Sequence, residues 1–120
     1  MGKKVLIVED YNDTRTMMRF LLQRLGFEVY EATDGQEAID QARRYPPDLI
    51  LMDISLPVID GLAATQIIRK FEGFANIPII AVTAYGESYY RQAIEAGCDD
   101  LINKPLDFDK LEPFLNQYLG

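Results

Sequence analysis

Glu9 and Asp10, then Asp53, Thr83 and Lys104, each stand where an apolar run gives out. The sharpest case is "DLILMDISLPVIDG" (48–61), in which Leu49, Ile50, Leu51 and Met52 deliver the chain into a carboxylate. A charge beside a core is costly unless something pairs with it. Taken singly, each residue has a plain reading: Asp53 and the Glu9–Asp10 pair as turn or helix caps, Thr83 as strand filler, Lys104-Pro105 as loop. As an ordered set they describe a site. Two carboxylates about 4 Å apart repel by roughly 4 kcal/mol at a surface dielectric. Three in one pocket raise one another's pKa unless a cation is present. An oxygen-only donor set suits Mg²⁺, which binds with one or two carboxylates, waters and phosphate oxygens. Lys104 offsets part of the charge and offers donors to an anion. A carboxylate can itself act as nucleophile and form an aspartyl phosphate. Transfer of a phosphoryl group is mainly positioning and charge stabilisation. Asp53 is then the acceptor, and Thr83 a donor to a phosphoryl oxygen.

These residues meet only if the chain folds in one way. Strand-like segments occur at 4–8, 28–32, 48–52, 78–83 and 100–103, and helical patterns at about 13–25, 36–44, 62–71, 87–96 and 107–119. Such alternation argues for an α/β fold, a doubly wound five-stranded parallel sheet of five βα units with helices on both faces. Side chains at the carboxyl ends of parallel strands share one crevice, where strand order reverses. The first, third and fourth strands are nearly continuous in apolar residues and belong in the centre. "EVYEA" (28–32) alternates with polar residues and belongs at an edge. Gly26 and Gly97 read as helix ends, Asp34-Gly35 as a turn, and Pro46-Pro47 as the close of the second helix. Pro113 falls inside the last helix, which predicts a kink or a delayed start.

Composition narrows the function classes. At 120 residues, 48% of them hydrophobic, the chain builds one core. Its net charge of −7 argues against direct binding to nucleic acid. No apolar stretch approaches the roughly 20 residues that span a bilayer, and four apolar residues after two lysines are too few for a signal peptide. A cytoplasmic location is expected. The lone Cys98 excludes an internal disulfide and reads as a small packed residue. Histidine is absent, and with it the usual general base and any internal phosphohistidine. On the first helix Met18, Leu21, Leu22 and Leu25 form one apolar stripe. Phe20 points away from it, and is a candidate docking contact for a phosphodonor.

End to end, the chain resembles the receiver domain of two-component response regulators, of the stand-alone, chemotaxis-regulator-like kind. The stretches that carry the resemblance are "VLIVED", "GFEVYEATDGQEAI", "PDLILMDISLPVIDGL", "IPIIAVTA" and "EAGCDDLINKPL". The resemblance implies a flavodoxin-like (βα)5 fold with strand order 2-1-3-4-5, and one receiver domain over 1–120 with no output domain. It implies a Mg²⁺-dependent switch in which a partner's phosphohistidine donates to Asp53. Glu9, Asp10, Asp53 and the backbone carbonyl of Ser55 would hold the metal. Thr83, Lys104 and the backbone of Ala84 would read the phosphoryl group. The donor would be a histidine kinase or a histidine phosphotransfer protein, and the output a downstream target protein, with the chain a monomer or weak dimer. The expected output surface is the fourth helix, fifth strand and fifth helix, with Tyr89, Tyr90 and Phe108. The bond before Pro105 is usually cis in the family. Leu101 stands where the family commonly has the Tyr or Phe whose rotation reports phosphorylation, and Leu106 replaces a frequent Phe. Leu101 is the one feature favouring the alternative, a phosphorylation-independent pseudo-receiver or adaptor.

Overall fold

The structure, a computed structural model, describes residues 2–119. Five strands, β1 (Lys4–Val8), β2 (Glu28–Ala32), β3 (Leu49–Asp53), β4 (Ile79–Thr83) and β5 (Asp100–Asn103), alternate with five helices. The helices are α1 (Asn12–Arg24), α2 (Gly35–Arg44), α3 (Gly61–Arg69), α4 (Gly86–Ala96) and α5 (Phe108–Leu119). All strand pairings are parallel, in the order β2-β1-β3-β4-β5. The chain reverses direction across the sheet between β1 and β3, and their carboxyl ends flank the crevice expected from the sequence.

Every residue of β3 and β4 is buried, as is β1 after Lys4. Strands covered on both faces have no solvent side on which to place polar residues, hence their unbroken apolar runs. One face packs Leu6, Val8, Ile50 and Met52 against α2, α3 and α4. The other packs Val5, Ile7, Leu49 and Leu51 against Met18 and Leu22 of α1 and Leu111 and Leu115 of α5. β2 lies at an edge, half-buried along most of its length. Cys98 is buried, 3.8 Å from the Thr65 hydroxyl, and burial pushes its thiol pKa up.

The expected boundaries hold to within two residues, with two corrections. β3 runs one residue further than the apolar run, so Asp53 belongs to the strand itself. The last helix has no delayed start. It opens at Phe108 after Asp107, whose carboxylate accepts the Asp109 N–H at 3.0 Å, and continues through Pro113 to Leu119. Pro113 is exposed, so the carbonyl that loses its helical donor can turn to water. Gly26 and Gly97 follow α1 and α4 with φ of 93° and 114°, a left-handed backbone that glycine adopts without steric cost.

Candidate functional site

Glu9 and Asp10 leave the end of β1, Asp53 ends β3, Thr83 ends β4, and Lys104 follows β5. Parallel register sets these ends side by side, with Val8 opposite Met52 and Thr83 opposite Asn103. Glu9, Asp53 and Thr83 are buried, whereas Asp10 is exposed at the rim. One carboxylate oxygen each from Glu9, Asp10 and Asp53 lies within 4.8 Å of the others.

Lys104 bridges two of these acids. Its ammonium donates to Glu9 Oε1 at 2.8 Å and to Asp53 Oδ2 at 3.1 Å. Burial alone would lower the Lys104 pKa, but the two carboxylate hydrogen bonds outweigh it and hold the ammonium above its ordinary value. The remaining oxygens are also engaged: Asp53 Oδ1 accepts the Ser55 N–H at 3.0 Å, and Glu9 Oε2 the Tyr11 N–H at 3.1 Å. Among the described residues no buried side-chain polar atom lacks a partner.

The flanking backbone is fixed by its own bonds. The Lys104 N–H donates to the Thr83 carbonyl at 2.8 Å, with a cis bond before Pro105 as the resemblance implied. The Thr83 hydroxyl accepts the Tyr85 N–H at 3.1 Å, and Ala84 lies exposed between them. Past Asp53 the loop turns sharply at Val58, whose φ of 68° is rare for a β-branched residue. The Ile59 N–H there reaches back to the Pro57 carbonyl at 2.8 Å.

The oxygen donors suit magnesium by type, number and spacing. Glu9, Asp10 and Asp53 are the side chains that would hold it, with the exposed Ser55 two residues past Asp53.

Arg15 was not singled out by sequence. Arg15 donates to the Glu9 carbonyl at 3.0 Å and to Glu31 Oε1 at 3.2 Å, pinning the corner that carries Glu9 and Asp10 to β2. Its place on α1, six residues past Glu9, was the available signal. Phe20 is 57% exposed, with the Arg24 guanidinium 5.8 Å from its ring centroid. Tyr90 and Phe108 are exposed, while Tyr89 is half-buried against the core, as is Leu101.

The five-stranded 2-1-3-4-5 sheet thus carries an acid cluster, a buried aspartate and a lysine at its carboxyl end. The family model of the response regulator receiver domain matches residues 5–116, and the chain belongs to that family. It is 39% identical over 121 residues to the polar-differentiation response regulator DivK of Brucella ovis, covering all of this chain and 98% of that protein. Among solved structures, the receiver domain of the sensor histidine kinase PA1611 of Pseudomonas aeruginosa, which holds a magnesium ion in its active-site cleft, superimposes with a TM-score of 0.93. The two are 37% identical, and the match covers 100% of this chain and 99% of that one. The chemotaxis response regulator CheY4 of Vibrio cholerae is similar at a TM-score of 0.92 and 28% identity, covering 98% and 99%. No described helix is long and apolar enough to cross a membrane.

Proposed function

We propose that Asp53 is the phosphoacceptor of this receiver domain, and that the chain works in the cytoplasm as a switch between a phosphodonor and a downstream target. One observation carries the reading: Lys104 holds the buried Asp53 and Glu9 carboxylates together, at 3.1 and 2.8 Å, at the meeting point of three strand ends. A carboxylate so held keeps its lone pairs in a fixed direction, and its counter-charge is already in place.

In the transfer, a carboxylate oxygen of Asp53 attacks the phosphorus of a phosphohistidine. The P–N bond breaks as the O–P bond forms, and its electron pair stays on the imidazole nitrogen, which is then protonated. The product is a mixed anhydride on Asp53, which water later hydrolyses to the aspartate and inorganic phosphate. Lys104 takes up charge at a phosphoryl oxygen, and the Thr83 hydroxyl turns from the Tyr85 N–H to donate to another. Magnesium, bound at Glu9, Asp10, Asp53 and the Ser55 carbonyl, would neutralise phosphoryl charge. The donor is a histidine kinase or phosphotransfer protein, since this chain has no histidine. It docks on the α1 face that exposes Met17 and Phe20. Catalysis is confined to the chain's own modification and its reversal.

Incubation with acetyl phosphate and Mg²⁺ tests the reading. Intact mass should rise by one phosphoryl group in the wild type, and not after chelation or in Asp53→Asn. A modified Asp53→Asn, or an unmodified wild type that binds Mg²⁺, overturns it.

A further inference from the structure

The start of α4 differs from those of α2 and α3. A helix begins with four N–H groups that lack intrahelical acceptors. Asp34 caps α2 by accepting the Glu37 N–H, and Asp60 caps α3 by accepting the Ala63 N–H. The residue before α4 is Tyr85, whose side chain makes no cap. Two oxygens from elsewhere serve instead. The Thr83 hydroxyl takes the Tyr85 N–H, and Asn103 Oδ1, on β5, takes the Gly86 N–H at 2.9 Å. A Cβ on residue 86 would come within 2.2 Å of that oxygen, so the bond as it stands uses the space that glycine leaves.

We propose that Asn103 is a positioning residue that tethers the amino end of α4 to the end of β5, just before Lys104, and so converts a movement of Thr83 into a pivot of α4 instead of its fraying. Asn103 lies opposite Thr83 in the sheet register and immediately before Lys104. The two bonds are therefore separable. When the Thr83 hydroxyl turns to a phosphoryl group, the Tyr85 N–H loses its acceptor, while the Gly86 N–H keeps its own. The chain can then swing at Ala84 and Tyr85, both exposed, about a point fixed at Gly86. Gly86 is buried, so its N–H would have to find a new partner before the helix could unwind there. The half of this inference that concerns Thr83 rests on Asp53 being the phosphoacceptor. The tether itself does not.

Residue-resolved amide exchange by NMR, with and without Mg²⁺ and the phosphoryl mimic beryllofluoride, tests it. In the wild type the Gly86 amide should stay protected in both states, and the Tyr85 amide should lose protection on adding the mimic. In Asn103→Ala the Gly86 amide should exchange at least about tenfold faster in both states. Its phosphate mass gain from acetyl phosphate should persist. Asn103→Asp, which keeps an acceptor oxygen, should restore protection and shows that the effect is not one of general misfolding. Unchanged Gly86 exchange in Asn103→Ala, or no rescue by Asn103→Asp, overturns the tether. A wild type that gains no phosphate mass defeats the reading of Asp53, and Gly86 exchange in the unmodified chain still decides the tether.

Discussion

Two half-buried cations at opposite ends of the sheet, Arg69 and Lys104, are used differently. At the amino ends of β4 and β5, Arg69 donates to the Gly97 carbonyl at 2.8 Å, the Phe74 carbonyl at 2.9 Å and Asp99 Oδ2 at 2.8 Å, and also to the Ile77 carbonyl. Asp99 Oδ2 in turn accepts the Ile79 N–H at 2.9 Å. Most donors of this planar group are matched to fixed acceptors, backbone carbonyls and one carboxylate that itself holds the Ile79 N–H. At the carboxyl end, the Lys104 ammonium meets only side-chain carboxylates, on β1 and β3, and its side chain is 27% exposed. A flexible stem and a point charge allow it to exchange one oxygen for another. The amino end is fixed by its acceptors, while under the proposed function the carboxyl end changes partners.

The largest effect expected from that contrast is on stability. Arg69→Ala strips several backbone carbonyls of their donor and should cost about 3 kcal/mol in urea denaturation. Arg69→Lys, with three donors, should recover only part of it. Phosphate uptake measured well below the melting temperature should survive both changes. A loss under about 0.5 kcal/mol would put the two ends on the same footing.

The carboxyl end should respond to charge. Magnesium at a hundred times its dissociation constant should raise stability by about 2.7 kcal/mol, and the gain should shrink in Asp10→Asn. Without metal, Asp53→Asn should raise stability by about 1 kcal/mol. It removes two carboxylate repulsions of about 3 kcal/mol each and forfeits one attraction to Lys104 of about 5 kcal/mol. Denaturation with and without the ion measures both. A marked destabilisation by Asp53→Asn would mean that this aspartate is a structural ion-pair partner, like Asp99.

The smallest effect concerns α5. The Tyr118 hydroxyl donates to Asp100 Oδ2 at 2.6 Å, and that bond, with the nearby carboxylate charge, pushes the phenol pKa up to about 12. A raised phenol pKa favours the folded state in full below pH 10 and less as pH climbs towards 12. Ultraviolet titration should place one tyrosine near that value, and Asp100→Asn should return it towards 10. The loss of stability between pH 10 and 12 should be shallower in Tyr118→Phe.

The sequence made the strands and the clustered acids legible because both leave local marks. Apolar runs announced β1, β3 and β4, and carboxylates at their ends announced the site. The order 2-1-3-4-5 came from resemblance, since no local pattern tells β3 which side of β1 to take. The contacts that were missed join residues distant in sequence. Asn103 with Gly86, Arg69 with Gly97 and Tyr118 with Asp100 are ordinary polar residues until the fold sets them together. Pro113 does not delay the start of α5: on the solvent side of the helix, water can serve the carbonyl that the ring leaves bare.

Borohydride tests the central claim most directly, because it reduces an acyl phosphate to a primary alcohol and leaves a free carboxylate untouched. After acetyl phosphate and Mg²⁺, peptide mapping of the reduced protein should find homoserine at position 53, with Glu9 and Asp10 unaltered. Homoserine at position 10, 2-amino-5-hydroxypentanoate at position 9, or a phosphorylated protein in which residue 53 is still aspartate, would contradict the account.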